Sequence, residues 1–160
     1  MEEEAPAFTP LERGQLTLLR IRAAGAALVV VAAALVTETV LHAKLAFPRG
    51  VIVLPLLVPL AWLVWAAPPR RYRAWGFAMD AEELQVKRGL WIRVHTVVPL
   101  DRIQHIDIAQ GPIERALGIC RLIVHTAGTL HSEVVVPGLA RGTAERMRDE
   151  IRARIKAEPA

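Results

Sequence analysis

The chain has 160 residues, enough for one ordinary domain or for a smaller one plus an anchor. Its formal net charge is +4, and residues 68–160 hold 15 basic against 11 acidic side chains, so the excess belongs to the C-terminal part. A surplus this small, without a basic cluster interleaved with exposed aromatics, argues against nucleic acid as a partner; the lone Cys120 excludes an internal disulfide and a multi-cysteine zinc site.

At the start, Glu2, Glu3 and Glu4 stand where a secretory signal would be basic, and the first apolar run begins late. The first hydrophobic helix is therefore expected to be retained, with residues 1–15 as a cytoplasmic tail. Residues 16–67 then read as a two-span transmembrane hairpin. The first span runs from about Leu16 to Leu41, with an uncharged centre from Ala23 to Thr37. A bilayer core needs about 20 apolar residues, so the stems of Arg20 and Arg22 extend this span by snorkelling.

Glu38 is an ionisable group inside that span, which is by default a functional hypothesis. His42, four residues on, shares its helical face and can pair with it; alternatively both lie in water at the outer interface. A turn with Pro48 and Gly50 precedes the second span, Val51–Ala67. There Pro55 and Pro59 are tolerated as in other membrane helices, Trp62 and Trp65 suit the interface, and Pro68 and Pro69 stop the helix. Arg13, Arg20 and Arg22 before the first span, and Arg70, Arg71 and Arg73 after the second, outweigh Lys44 and Arg49 between them. The positive-inside rule then puts both termini at the cytoplasmic face of the cell membrane.

From residue 70 to 160 the pattern changes to short alternating segments, an α+β, mainly-β domain built on an antiparallel sheet or barrel. Expected strands are Ala74–Met79, Leu84–Arg88, Leu90–Val98, Arg102–Ala109, Ile119–Thr126 and Ser132–Val136. Period-two apolar residues, Leu84 and Val86, then Leu90, Ile92 and Val94, give those strands one buried face. Gly89 and Gly128 are placed at turns. Pro112 opens a single helical turn with Glu114 at its positive end and Gly118 as its left-handed cap. A last helix is predicted from Thr143, its N-cap, to Ala157. Ala144, Met147, Ile151 and Ile155 form its apolar stripe, and Arg148, Arg152 and Lys156 lie beside it. The whole is a partly open barrel with a helix over one end.

The run Pro99-Leu100-Asp101-Arg102-Ile103-Gln104-His105-Ile106-Asp107-Ile108, followed by Gln110-Gly111-Pro112-Ile113-Glu114-Arg115-Ala116-Leu117-Gly118, resembles the YdbS-type bacterial membrane proteins. Thr126-Ala127-Gly128 and Val136-Pro137-Gly138-Leu139 match as well. The resemblance covers nearly all the chain. It implies a pleckstrin-homology-like (PH-like) domain, about seven strands of barrel and a C-terminal helix, with Leu84 and Gly89 opening the domain. It implies no catalytic residues and no particular ligand.

Of the remaining residues, His95, His105, His125 and His131 show no metal-ligand spacing and read as surface or hydrogen-bonded histidines. His105 is expected beside Ile103 and Asp107, and His125 beside Arg121 and Ile123. Cys120 alternates with Leu122, Val124 and Thr126 on an inward face and reads as a small buried hydrophobe. Arg102, Gln104, Asp107 and Arg115 are the candidate interaction surface; the first three serve equally well as braces for the Gln110–Gly118 loop. Candidate lipid-facing basic residues are Arg70, Arg71, Arg73, Arg148, Arg152 and Lys156. No nucleophile–base pair, glycine-rich phosphate loop or paired-carboxylate motif is present, so neither catalysis nor a cofactor is expected. A membrane-anchored interaction module is expected instead, meeting a protein partner or a second copy of itself. Binding of anionic lipid headgroups is the alternative.

Overall fold

The computed structural model describes residues 8–127 and 133–157. The chain forms two units: Leu16–Arg70, and Met1–Gln15 together with Arg71–Ala160. Gly128 and His131 lie outside the described residues, as does the side chain of Lys156.

The first unit is the apolar hairpin. Helix α1 (Arg13–Leu45) has 33 residues, about 50 Å at 1.5 Å per residue, so it exceeds a hydrocarbon core of about 30 Å. Helix α2 (Val53–Trp65) carries Pro59 inside it and Pro55 in its first turn, where a missing N–H costs no helical bond. Pro68 and Pro69, expected to stop the chain's helical course, instead occupy the first turn of a third helix, α3 (Ala67–Arg73). Proline suits that position because its φ is already helical. Together α2 and α3 make a 21-residue stretch, so two segments are long and apolar enough to cross a membrane.

Within this unit Glu38 and His42 do not pair with each other. The Glu38 carboxylate accepts hydrogen bonds from the backbone N–H groups of Gly50 and, at 3.2 Å, of Val53, the first residue of α2. His42 Nδ1 lies 2.8 Å from the Phe47 carbonyl. Both side chains thus staple the interhelical loop, with Glu38 satisfying helix-end donors that otherwise lack partners. At the other end the Arg20 guanidinium lies 5.9 Å from the Trp65 ring and that of Arg70 lies 5.5 Å from Trp62.

The second unit holds two three-stranded antiparallel meanders, β1 (Gly76–Met79), β2 (Glu83–Arg88) and β3 (Val94–Pro99), then β4 (Ile103–Ala109), β5 (Ile119–Thr126) and β6 (Glu133–Ala140). This makes six strands among the described residues, against the seven implied by resemblance, and two sheets facing one core instead of one barrel ladder. Pro99 explains the division: it cannot donate to a continuing ladder, and a 3-10 turn (Leu100–Arg102) leads into the second sheet. The core joins Phe77, Leu84, Val86 and Val98 from one sheet to Ile106, Leu122, Val124 and Val136 from the other.

Several expected boundaries move for identifiable reasons. Strand β1 starts at Gly76 because Ala74 and Trp75 turn off the end of α3, their N–H groups donating to the Arg71 and Tyr72 carbonyls at 3.2 and 3.3 Å. Leu90 and Ile92 are exposed, not half of a buried face, since residues 89–93 form the β2–β3 turn. Gly89 has φ +107°, and a Cβ there would lie 1.8 Å from the Ile92 carbonyl oxygen, so only glycine closes this turn. Strand β6 continues through Pro137 because it is an edge strand, where a missing donor is tolerated. The residues expected as tail also contribute: Thr9 and Phe77 exchange backbone hydrogen bonds of 2.8 and 3.1 Å, and Leu11 is buried in the core.

Helix α4 (Pro112–Ala116) follows β4, and Gly118 after it is left-handed, with φ +68°. Helix α5 (Arg141–Ala157) begins directly after β6, two residues ahead of Thr143, which is therefore inside the helix and not its cap. Ala144, Met147 and Ile151 are buried against the second sheet, while Ile155 at the helix end is half exposed. Burying a side chain such as Ile151 contributes about 1.5–3 kcal/mol.

Candidate functional site

Strand β4 decides which side chains reach the surface. A register shift between Ile103 and His105 breaks the alternation, so Ile103 and Ile106 point into the core. His105 therefore does not share a face with Ile103. A bulge of this kind re-aims the side chains that follow it. Beyond it His105 and Asp107 lie outward beside His125 of β5: the imidazoles are 6.4 Å apart edge to face, and His125 Nε2 is 3.3 Å from Asp107 Oδ2. These groups do not converge on a common point, and among the described residues no set of three His, Cys, Asp or Glu is arranged to hold a metal ion.

A groove runs between β4 and α5. Its first part, about 410 Å³, is lined by Gln104, His105, Asp107, Arg152 and Ile155 over the apolar Ile103 and Ile106. The second, about 450 Å³, shares Ile106, Asp107 and Arg152 and continues past Arg115, Arg141, Glu145 and Arg148. Sequence reading placed Gln104, Asp107 and Arg115 in one set and Arg148 and Arg152 in another; folding brings both to this groove. Arg102 lines neither part: it ends the 3-10 turn, and its carbonyl accepts the Ala127 N–H at 3.1 Å. Arg70, Arg71 and Arg73 are exposed on α3.

The electrostatics of the groove are mixed. Arg141 pairs with Glu145 at 2.9 Å and Arg148 with Asp149 at 2.8 Å. Among the described residues Arg115 and Arg152 have no carboxylate within ion-pair distance. Beneath them Cys120 is 1 % exposed, and burial pushes its thiol above the ordinary range, so it is a floor and not a nucleophile.

The loop beside the groove is braced by Gln110 and Glu114, not by Arg102, Gln104 or Asp107. Gln110 Nε2 donates to the Ile119 carbonyl at 2.8 Å, and the buried Glu114 carboxylate accepts the Gly111 N–H at 2.7 Å. Glu114 also pairs with Arg121 at 3.1 Å. Arg141 was missed because the helix was expected to begin only at Thr143, and with it the pairing that places Glu145 in the groove. The turn was expected at Gly89, but its extent through Arg93 was missed because Leu90, Ile92 and Val94 imitate strand periodicity.

A two-sheet β domain closed by a C-terminal helix, joined to an apolar helical pair, defines a membrane-associated module of PH-like type. The chain belongs to the family described as bacterial PH domain, which it matches over residues 16–155. In Bacillus subtilis (strain 168), UPF0699 transmembrane protein YdbS is 31% identical over 88 residues, 55% of this chain and 54% of that protein. UPF0699 transmembrane protein YdbT of the same organism is 26% identical over 91 residues, 56% of this chain and 18% of its own length. The chain thus spans about half of YdbS and under a fifth of YdbT. No solved structure matches it.

Proposed function

We propose that this protein is a multi-pass, non-enzymatic interaction module, anchored in the cytoplasmic membrane with its β domain at the cytoplasmic face, and that the β4–α5 groove receives a segment of a partner protein. One observation carries the reading: the groove sets Arg115 and Arg152, unpaired among the described residues, around an apolar floor of Ile106, Ile108 and Cys120. A protein segment offering acidic and apolar side chains fits both features. The interspersed Asp107 and Glu145 disfavour a tightly convergent phosphate cage, which is why a headgroup ranks second. Arginines at the outer ends of the two apolar segments support the orientation.

The test places a photo-crosslinking residue at Gln104 in the full chain, in native membranes. Protein adducts are expected, at twice the chain's mass if the partner is a second copy. Reversing both Arg115 and Arg152 to Glu should cut their yield about tenfold, a cost of roughly 1.4 kcal/mol. Adducts to lipid alone, or protein adducts indifferent to the reversals, would sink the groove assignment.

A further inference from the structure

The least expected surface of the β domain lies away from the groove, at the turn between β2 and β3. Trp91 is 92% exposed, Ile92 79% and Leu90 40%, and Val94 continues the apolar run onto β3. A soluble surface rarely sets a tryptophan and an isoleucine side by side in water at the tip of a hairpin. This tip is built, not frayed: Gly89 closes it in a conformation no other residue fits, and the register holds up to Arg88 opposite Val94. Below it Lys87 lies 3.6 Å from the Phe8 ring. All charge between Lys87 and Arg93 is positive, and among the described residues Arg88 and Arg93 have no carboxylate within ion-pair distance.

We propose that the Leu90-Trp91-Ile92 tip is a membrane wedge: its apolar side chains enter the headgroup boundary of an anionic bilayer while Arg88 and Arg93 hold lipid phosphates. Three features choose lipid over a protein partner. The indole ring belongs at a membrane interface, where one edge is apolar and the other wet. Flanking charge of one sign complements the anionic leaflet, which attracts basic segments within a Debye length. Finally, only α3 and a short turn separate α2 from β1, so the domain's reach to a bilayer surface is short and its effective concentration there is high. Two arginines and three apolar side chains form a generic wedge, so selectivity among headgroups of equal charge is not expected. The wedge is independent of the groove and stands or falls separately.

The experiment uses the full chain in nanodiscs, one copy per disc. An Ile92→Cys variant carries an environment-sensitive fluorophore; Cys120 is buried, and the parent chain serves as the labelling control. With a phosphatidylglycerol-containing bilayer, emission should shift to the blue and resist iodide. Lipids bearing a nitroxide near the top of the acyl chain should quench it more than those bearing one near its end, as for insertion of about 5–10 Å. Adding Arg88→Glu and Arg93→Glu should return the emission toward its value in water. Iodide quenching as efficient as for free dye would overturn the wedge. So would iodide protection without nitroxide quenching, which would mean that protein covers the tip.

Discussion

The Cys120 thiol sits on the inner face of β5, 3.5 Å from the Leu139 carbonyl, and burial raises its pKa. On raising the pH the unfolded chain therefore loses its thiol proton before the folded one does. This contribution to stability is complete below the ordinary thiol pKa of about 8.5 and is lost as pH rises toward the folded value, at most about 1.4 kcal/mol per pH unit. Alkaline melting curves of the native chain and Cys120→Ala should converge on that account, and maleimide should label Cys120 only after unfolding. Fast labelling of the native protein at neutral pH would remove the buried-hydrophobe reading. Glu114 is a second residue whose environment sets its importance. Its carboxylate is 3 % exposed yet serves both Gly111 and Arg121. Glu114→Ala should cost about 1–3 kcal/mol, since it orphans the Gly111 N–H and removes the charge facing Arg121, and Glu114→Gln should cost less. Equal melting temperatures for Glu114→Ala and the parent chain would show that this brace is idle. Its dipole role was legible from its place in the first turn; its pairing with Arg121 was not, because that partner arrives from another strand.

Among the elements, α5 ties the second sheet to the groove, and its inward stripe was readable from spacing alone: Ala144, Met147 and Ile151 recur at helical period and are all buried. Replacing Ile151 with Asp drives an unpaired carboxylate into that contact and should destabilise the domain by about 3–5 kcal/mol. Thermal unfolding followed by circular dichroism reads the loss, and an unchanged melting temperature would contradict the packed helix. The β2–β3 hairpin shows the opposite case. Period-two alternation in Leu90, Ile92 and Val94 is what a half-buried strand would show, and only the positive φ at Gly89 marks a turn. A local pattern cannot report whether any neighbour covers it, so exposure of the tip was invisible in sequence. The bulge in β4 was equally hidden: it depends on pairing with β5, and it shifts the inward positions from alternation to Ile103 and Ile106. Sheet division at Pro99 follows similarly, from a donor the residue lacks and not from any change in hydrophobic pattern. Apart from α3, which Pro68 and Pro69 concealed, element existence came through the sequence well, whereas which face of an element meets which neighbour did not.

For the whole molecule, orientation is the property on which the proposed function depends. Within the hairpin, Arg20 lies over Trp65 and Arg70 over Trp62 at one end, while Glu38 and His42 fasten the loop at the other. If both segments cross, the basic end faces one side of the membrane and residues 46–52 face the opposite side. Positive charge then predicts a cytoplasmic basic end. A cysteine at Ala46 should react with an impermeant maleimide in intact cells, and one at the exposed Glu82 only after permeabilisation. Labelling of Glu82→Cys in intact cells would reverse the assignment. Arg70, Arg71 and Arg73 separate topology from attachment more sharply. Each contributes about 1 kcal/mol near an anionic surface, screened within a Debye length, which is small beside two apolar helices. Changing all three to Gln should therefore leave the protein in the membrane fraction, even after a high-salt wash. The same change removes half of the outer arginines and cuts their excess over Lys44 and Arg49 from four to one, so a fraction of the Glu82→Cys population should become labelled in intact cells. Release of the triple variant by salt would mean that these arginines anchor the protein and that the helices do not. An unaltered labelling pattern would assign orientation to Arg13, Arg20 and Arg22 alone.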